Sequence, residues 1–249
     1  MCPPLKYGEA LLQKKSMSAD KRIVAIILSR FNSSRLPGKA LLTIRGKPIL
    51  SYIIERLEQI MPREDIVLAT SEEKTDDPIA EYAEEVGIGI FRGPLENVSR
   101  RFFDAANSGN YDYAVRINGD NVFVDTNVLQ SMIGISKSGR FDFISNVKGR
   151  TYPKGMSIEI ARLDWYKKLL NTIEEDDRYR EHVTLYIYEK EPAGEYYFKM
   201  NKELPAAAGI QLALDTPEDL ERTRRIISTF DHPHFTYNLK EIMEQYGEE

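Results

Sequence analysis

The chain of 249 residues is 42% hydrophobic and 29% charged, long enough and apolar enough to bury one sizeable core. Its net charge of -5 argues against a nucleic-acid partner, whose binding domains carry a basic excess, so any basic site must be local and suited to a small anion. The single cysteine, Cys2, excludes an internal disulfide and a cysteine-built metal site, and no apolar run approaches the roughly 20 residues that span a bilayer.

Residues 1–21 lack the apolar core of a secretory signal. They are expected to form an N-terminal extension to a single domain over 22–249 in a cytoplasmic protein. A short helix over 9–15 docking on the body, or a true start at Met17, remain open for this leader.

The apolar, β-branched run over 23–28 predicts a strand buried on both faces. It empties into a polar loop carrying Arg30, Arg35 and Lys39. A short extended piece over 41–44 ends in a turn, and Pro48 opens a helix whose apolar residues recur every three or four positions until Pro62. Strands over 66–69, 88–91 and 113–117 alternate with helices over 78–86, closed by Gly87, and 96–106. The second half predicts helices over 128–136, 165–173 and 178–189, and strands over 142–145, 157–160, 196–200 and 211–214. Thr216 caps a helix through Ile227, with Asp219 in a capping-box position, and the last helix covers 239–246. This alternation implies a three-layer α/β/α architecture, Rossmann-like, with a mostly parallel sheet and its strand-exit loops on one edge.

Three clusters carry chemistry. The loop over 29–39 is a basic segment at the first strand exit, where open α/β sheets bind ligands. Asp120 follows Gly119 at another strand exit, where a carboxylate can hold Mg²⁺ together with substrate phosphates, although Asn118-Gly119-Asp120-Asn121 also suits a plain turn. Asp215 is the second carboxylate: Thr216 and Asp219 can cap the helix without it, which frees its side chain for another task. The third cluster is Arg178, Arg180 and His182, which could bind an acidic acceptor or pair with Glu174, Glu175 and Asp177. His232 and His234 flank Pro233 in an expected surface turn and read as structural, since no further ligand stands at metal spacing.

Four stretches in this order, residues 29–39 (SRFNSSRLPGK), 116–121 (RINGDN), 180–188 (REHVTLYIY) and 214–220 (LDTPEDL), resemble the cytidylyltransferases that activate acylneuraminate and 3-deoxy-manno-octulosonate. A weaker fifth is 91–103 (FRGPLENVSRRFF), and the chain most resembles the spore coat polysaccharide biosynthesis protein F branch over about 22–227. The resemblance implies a glycosyltransferase-A-like fold that binds CTP and Mg²⁺. It implies that Ser29, Arg30, Arg35 and Lys39 grip the nucleotide, that Arg92 and Arg101 lie near it, and that Asp120 and Asp215 hold the metal. Glu159, Arg180, His182 and Tyr186 fall in the part that shapes the acceptor pocket. Two departures stand out: Leu28-Ser29 replaces the usual Ala or Gln-Ala before the first arginine, and Val122 stands where relatives often have proline.

The implied reaction is transfer of CMP from CTP to a hydroxyl of a small acidic or sugar-like acceptor, with pyrophosphate leaving. Lys39, Arg35 and Asp120 would do the catalytic work, and relatives suggest a homodimer. Rival readings are another NTP or a non-sugar acceptor, a glycosyltransferase on the same fold, and a non-catalytic nucleotide-binding subunit. The second usually needs an Asp-x-Asp motif, and only one aspartate stands at 118–120.

Overall fold

The structure, a computed structural model, describes residues 21–247; the helix expected over 9–15 lies outside them. Strand β1 (Ile23–Leu28) is buried at all six positions. It is followed by a small hairpin, β2 (Thr43–Ile44) and β3 (Lys47–Pro48), and by helix α1 (Ile49–Leu57). Next come β4 (Ile66–Ser71), α2 (Asp77–Val86), β5 (Gly89–Gly93), α3 (Val98–Asn107) and β6 (Tyr113–Asn118). The second half contains α4 (Thr126–Ser136), β7 (Phe143–Ser145), β8 (Glu159–Arg162), α5 (Leu163–Ile173), α6 (Asp177–Glu181) and α7 (Leu185–Lys190). The chain continues through β9 (Tyr196–Phe198), α8 (Pro217–Ser228) and α9 (Leu239–Tyr246). Among the described residues no helix is long and apolar enough to cross a membrane.

The main sheet has seven strands in the order β5-β4-β1-β6-β8-β7-β9. β5, β4, β1 and β6 run parallel, and β8 is antiparallel to both its neighbours. Side chains alternate across the sheet, as the two-residue period of a strand requires. Ala25 and Ile27 pack into one apolar layer with Ile53 and Leu129, whereas Val24 and Ile26 face another with Phe102 and Tyr166. Helix α1 buries Ile49, Leu50, Ile53, Ile54 and Leu57 on one face, as its apolar spacing predicts. Thr216 and Asp219 form the capping box expected at the start of α8, and Gly87 closes α2 with a φ of 71°.

The chain leaves β1 towards β4 on one side and comes back through β6 on the other. The carboxyl ends of β1 and β6 are therefore neighbours at the point where strand order reverses, the usual ligand crevice of such sheets. Leu28 is paired with Asn118, and the Gly119 amide donates to the Leu28 carbonyl at 2.8 Å. A Cβ on Gly119 would lie 2.7 Å from Ser29 Oγ, so only glycine allows the two exits to meet this closely.

Three sequence expectations need correction. The helix predicted over 178–189 is broken at 182–184 into α6 and α7. At the break the Val183 carbonyl accepts from the Tyr166 hydroxyl at 2.8 Å, and the Thr184 hydroxyl donates to Glu159 at 2.8 Å, so tertiary partners take over from helical ones. The segment 211–214 is not a strand: among the described residues it makes one bridge, between Gln211 and Lys154. His234 is buried rather than on a surface turn, whereas His232 is exposed.

The buried His234 belongs to a polar knot that ties the C-terminal segment to α1. Arg56, 1% exposed, donates to the carbonyls of Val124, His234 and Tyr237 at 3.1, 2.6 and 2.8 Å. His234 Nε2 donates to Glu55 at 2.8 Å, and its ring meets Tyr52 edge-on. Burial would raise the Glu55 carboxyl, but hydrogen bonds from Lys47 and His234 hold it below its ordinary value. Burial pushes the His234 imidazole down from 6.5 to about 4, so the unfolded chain takes up that proton first. The stability it supplies is complete above pH 6.5 and is lost as pH falls towards 4. About 2 kcal/mol should be gone by pH 5. Urea unfolding at pH 7 and pH 5 should show this loss, and His234→Gln should shrink it; equal losses in both proteins would acquit His234.

Candidate active site

The basic loop that follows β1 is fastened at both ends. Phe31 donates its amide to Asp76 at 2.7 Å, and its carbonyl accepts from the Gly38 amide at 2.8 Å. Gly38 has a φ of 68°, a left-handed turn that a side chain would resist, and it feeds directly into the single turn from Lys39 to Leu41. Asp76 is 2% exposed and also accepts from the Thr70 hydroxyl at 2.8 Å, the Ser71 amide at 2.9 Å and the Ser71 hydroxyl. Burial alone would raise its carboxyl, but these donors hold it below the ordinary range. Asp76 thus pins the loop to the exit of β4. In sequence it reads only as an acidic residue near the start of a helix, which hides this role.

Two carboxylates from distant segments close on the loop. Lys39 Nζ donates to Asp120 Oδ2 at 3.1 Å, to Asp215 Oδ1 at 2.9 Å and to the Leu214 carbonyl at 2.9 Å. Arg35 lies 3.2 Å from the other oxygen of Asp215. Asp215 is free to turn this way because Asp219 takes the capping work, accepting from the amides of Asp215 and Thr216 at 3.1 and 3.0 Å. Burial pushes the Asp120 carboxyl up, an effect that Lys39 opposes and Asp215 reinforces.

The 211–214 segment carries Asp215 to this point by passing over Gly155. Lys154 donates to the Ile210 carbonyl and accepts from the Leu212 amide, and the Leu214 amide reaches the Asp120 carbonyl at 3.1 Å. Among the described residues no group of three His, Cys, Asp or Glu side chains is gathered for a metal. The oxygens of Asp120, Asp215 and Leu214 nevertheless converge on one cation, the Lys39 ammonium. Two carboxylates and a carbonyl form a hard-oxygen set that suits Mg²⁺ once phosphate and water complete it.

These groups border a cavity of about 500 Å³. Arg30, Arg35, Lys39, Arg101 and Arg116 face it against Asp120, Glu181 and Asp215, so an acidic protein presents a locally basic crevice. Arg30 and Glu181, both on the cavity wall, pair at 3.0 Å. Arg101 is 1% exposed and donates to the Pro94 carbonyl at 2.7 Å; burial pushes its guanidinium down to about 10. The Nε atoms of Arg101 and Arg116 are buried and unpartnered. Arg116 stands inside the RINGDN stretch, where sequence alone does not single it out, because a charge in a buried strand shows its direction only once the pairing is known.

The other predicted residues divide. Ser29 and His182 line the cavity. Glu159 does not: it lies 2% exposed behind Arg116, paired with it and accepting from Thr184 at 2.8 Å and Tyr188 at 2.6 Å. It therefore positions Arg116. Arg92 is turned away, with its donors spent on Asp77 and the carbonyls of Ser71 and Glu73. Arg180 pairs with Asp177, and Tyr186 meets Tyr179 edge-on at 5.3 Å; neither lines the cavity.

Comparison with known proteins accounts for this arrangement. The cytidylyltransferase family model matches residues 24–245. The spore coat polysaccharide biosynthesis protein SpsF of Bacillus subtilis is 30% identical over 210 residues, 82% of this chain and 85% of its own. A solved cytidylyltransferase from Leptospira borgpetersenii is 31% identical and superposes with a TM-score of 0.82, covering 90% of this chain and 93% of that one. CMP:2-keto-3-deoxy-manno-octonic acid synthetase complexed with CTP, 18% identical, shares the fold with a TM-score of 0.61 over 84% of this chain and 99% of its own. The sheet is thus that of the nucleotide-sugar transferase fold, and the chain belongs to the cytidylyltransferase family of CTP-dependent nucleotidyltransferases.

Proposed function

We propose that this enzyme transfers CMP from CTP to a hydroxyl of an acidic, sugar-like acceptor, releasing pyrophosphate, in the synthesis of a surface polysaccharide or glycoconjugate. The observation that carries the reading is the convergence of Asp120 and Asp215 on Lys39 inside the basic crevice at the β1–β6 exits. The names of the relatives, one in polysaccharide biosynthesis and one bound to CTP, support the same class of chemistry.

Nucleotidyl transfer leaves the protein chiefly the tasks of positioning and charge neutralisation. Arg30, Arg35 and Lys39 bind the triphosphate from the loop that Asp76 pins, and Arg35 and Lys39 stabilise the departing pyrophosphate. Arg116, oriented by Glu159, and His182 line the remaining cavity wall and receive the anionic acceptor. Asp120 and Asp215 would hold Mg²⁺, which when bound supplies charge neutralisation at the phosphates and lowers the pKa of the acceptor hydroxyl.

The test is pyrophosphate release with each NTP and Mg²⁺ against a panel of acidic sugars, phosphosugars and polyols. CTP with an acidic sugar should give the fastest turnover. Equal use of other nucleotides would overturn the choice of CTP, and turnover with phosphosugars or polyols alone would overturn the acidic acceptor.

A further inference from the structure

Lys39 has two claims on its ammonium group. The proposed function assigns it to the triphosphate, yet its Nζ sits 3.1 Å from Asp120, 2.9 Å from Asp215 and 2.9 Å from the Leu214 carbonyl. Those are the same oxygens that suit a divalent cation. Mg²⁺ binds oxygen at about 2.0–2.1 Å, and a second cation sharing those oxygens would be strongly repelled. Lysine and metal are therefore competitors for one position.

We infer that Lys39 is the resident counterion of Asp120 and Asp215, displaced when metal enters, so that the site takes metal readily only when nucleotide is there to receive the lysine. The inference rests on the proposed metal role of the two aspartates. The side chain can make the move alone. Lys39 begins a turn whose backbone is fixed by its own amide on the Leu36 carbonyl at 3.2 Å and by the Leu41 amide on Gly38 at 2.9 Å. The flexible four-carbon stem of a lysine can redirect its head while that backbone stays put. Arg30 and Arg35 on the same loop draw the triphosphate to where the released ammonium can meet it.

Without nucleotide, a metal ion must expel a cation that has three oxygen partners and gains only water in exchange. With nucleotide, the displaced ammonium acquires phosphate oxygens, and the metal acquires them too. Metal and nucleotide affinities are then coupled through one side chain, and by linkage each must raise the other.

The test measures Mn²⁺ binding to the full chain by the electron paramagnetic resonance signal of the free ion, with and without CTP, each CTP sample being read against the Mn²⁺ that the same CTP binds without protein. In a folded Lys39→Met protein, Mn²⁺ without nucleotide should bind at least about tenfold tighter than in the parent, and the gain in affinity on adding CTP should shrink. Equal or weaker Mn²⁺ binding by that variant overturns the inference while leaving the metal role of the aspartates intact. A parent that binds no Mn²⁺ even with CTP overturns both.

Should Lys39→Met not fold, the parent decides. Acylation mapped by peptide mass should label Lys39 faster when Mn²⁺ alone saturates the site, because the ammonium has left its carboxylates. An unchanged labelling rate overturns the inference.

Discussion

Asp120→Asn should lower CMP transfer by about three orders of magnitude while leaving the folded protein nearly as stable as before. The catalytic loss follows from position: Asp120 sits where the exits of β1 and β6 meet, and it supplies one of the two carboxylates that converge on Lys39 in the crevice. The stability follows from the same burial. Burial already disfavours the charged form of this carboxyl, so an amide of equal size is easily accepted, and Lys39 retains Asp215 and the Leu214 carbonyl. Pyrophosphate release and thermal melting, measured on the same preparation, check both halves. Activity within tenfold of the parent would remove Asp120 from the reaction.

Gly155→Ala should be the most damaging small change outside the crevice. Gly155 has a φ of 91°, and an added Cβ would stand 2.4 Å from the Ala213 nitrogen and 2.6 Å from the Leu212 carbonyl carbon. Both are backbone atoms, so no side-chain rotation relieves the clash. We expect a loss of about 3 kcal/mol in unfolding free energy from strain and displacement together. The segment pushed aside leads directly into Asp215, so turnover should fall along with stability. Urea titration and pyrophosphate release measure the two effects. A substitution that leaves both unchanged would mean that 211–214 does not depend on Gly155 for its path.

The architecture and much of the crevice were legible because they are written in local pattern. The apolar run of β1, the periodic face of α1 and the redundancy of caps before α8 each follow from a few neighbouring residues. The last even pointed to the freedom of Asp215. What escaped was set by partners far along the chain. Composition made 211–214 look like a strand, yet its hydrogen bonds go to Lys154 and Asp120. Periodicity made 178–189 one helix, but Glu159 and Tyr166 claim Thr184 and Val183. Arg92 and Arg116 are indistinguishable as charges; pairing sends one to Asp77 and the other to the crevice. Asp76 is only an acidic residue near the start of a helix until the amide of Phe31 is seen resting on it.

Lys39, Asp120 and Asp215 come from the first, middle and last thirds of the chain and meet around one cation. None of the segments that carry them can drift away without dissolving the site. A ligand bound here would therefore clamp the whole molecule by mass action, because a chain opened at any of the three places loses part of what would hold that ligand. Substrate supply should govern how long this protein survives in its folded form as well as how fast it turns over.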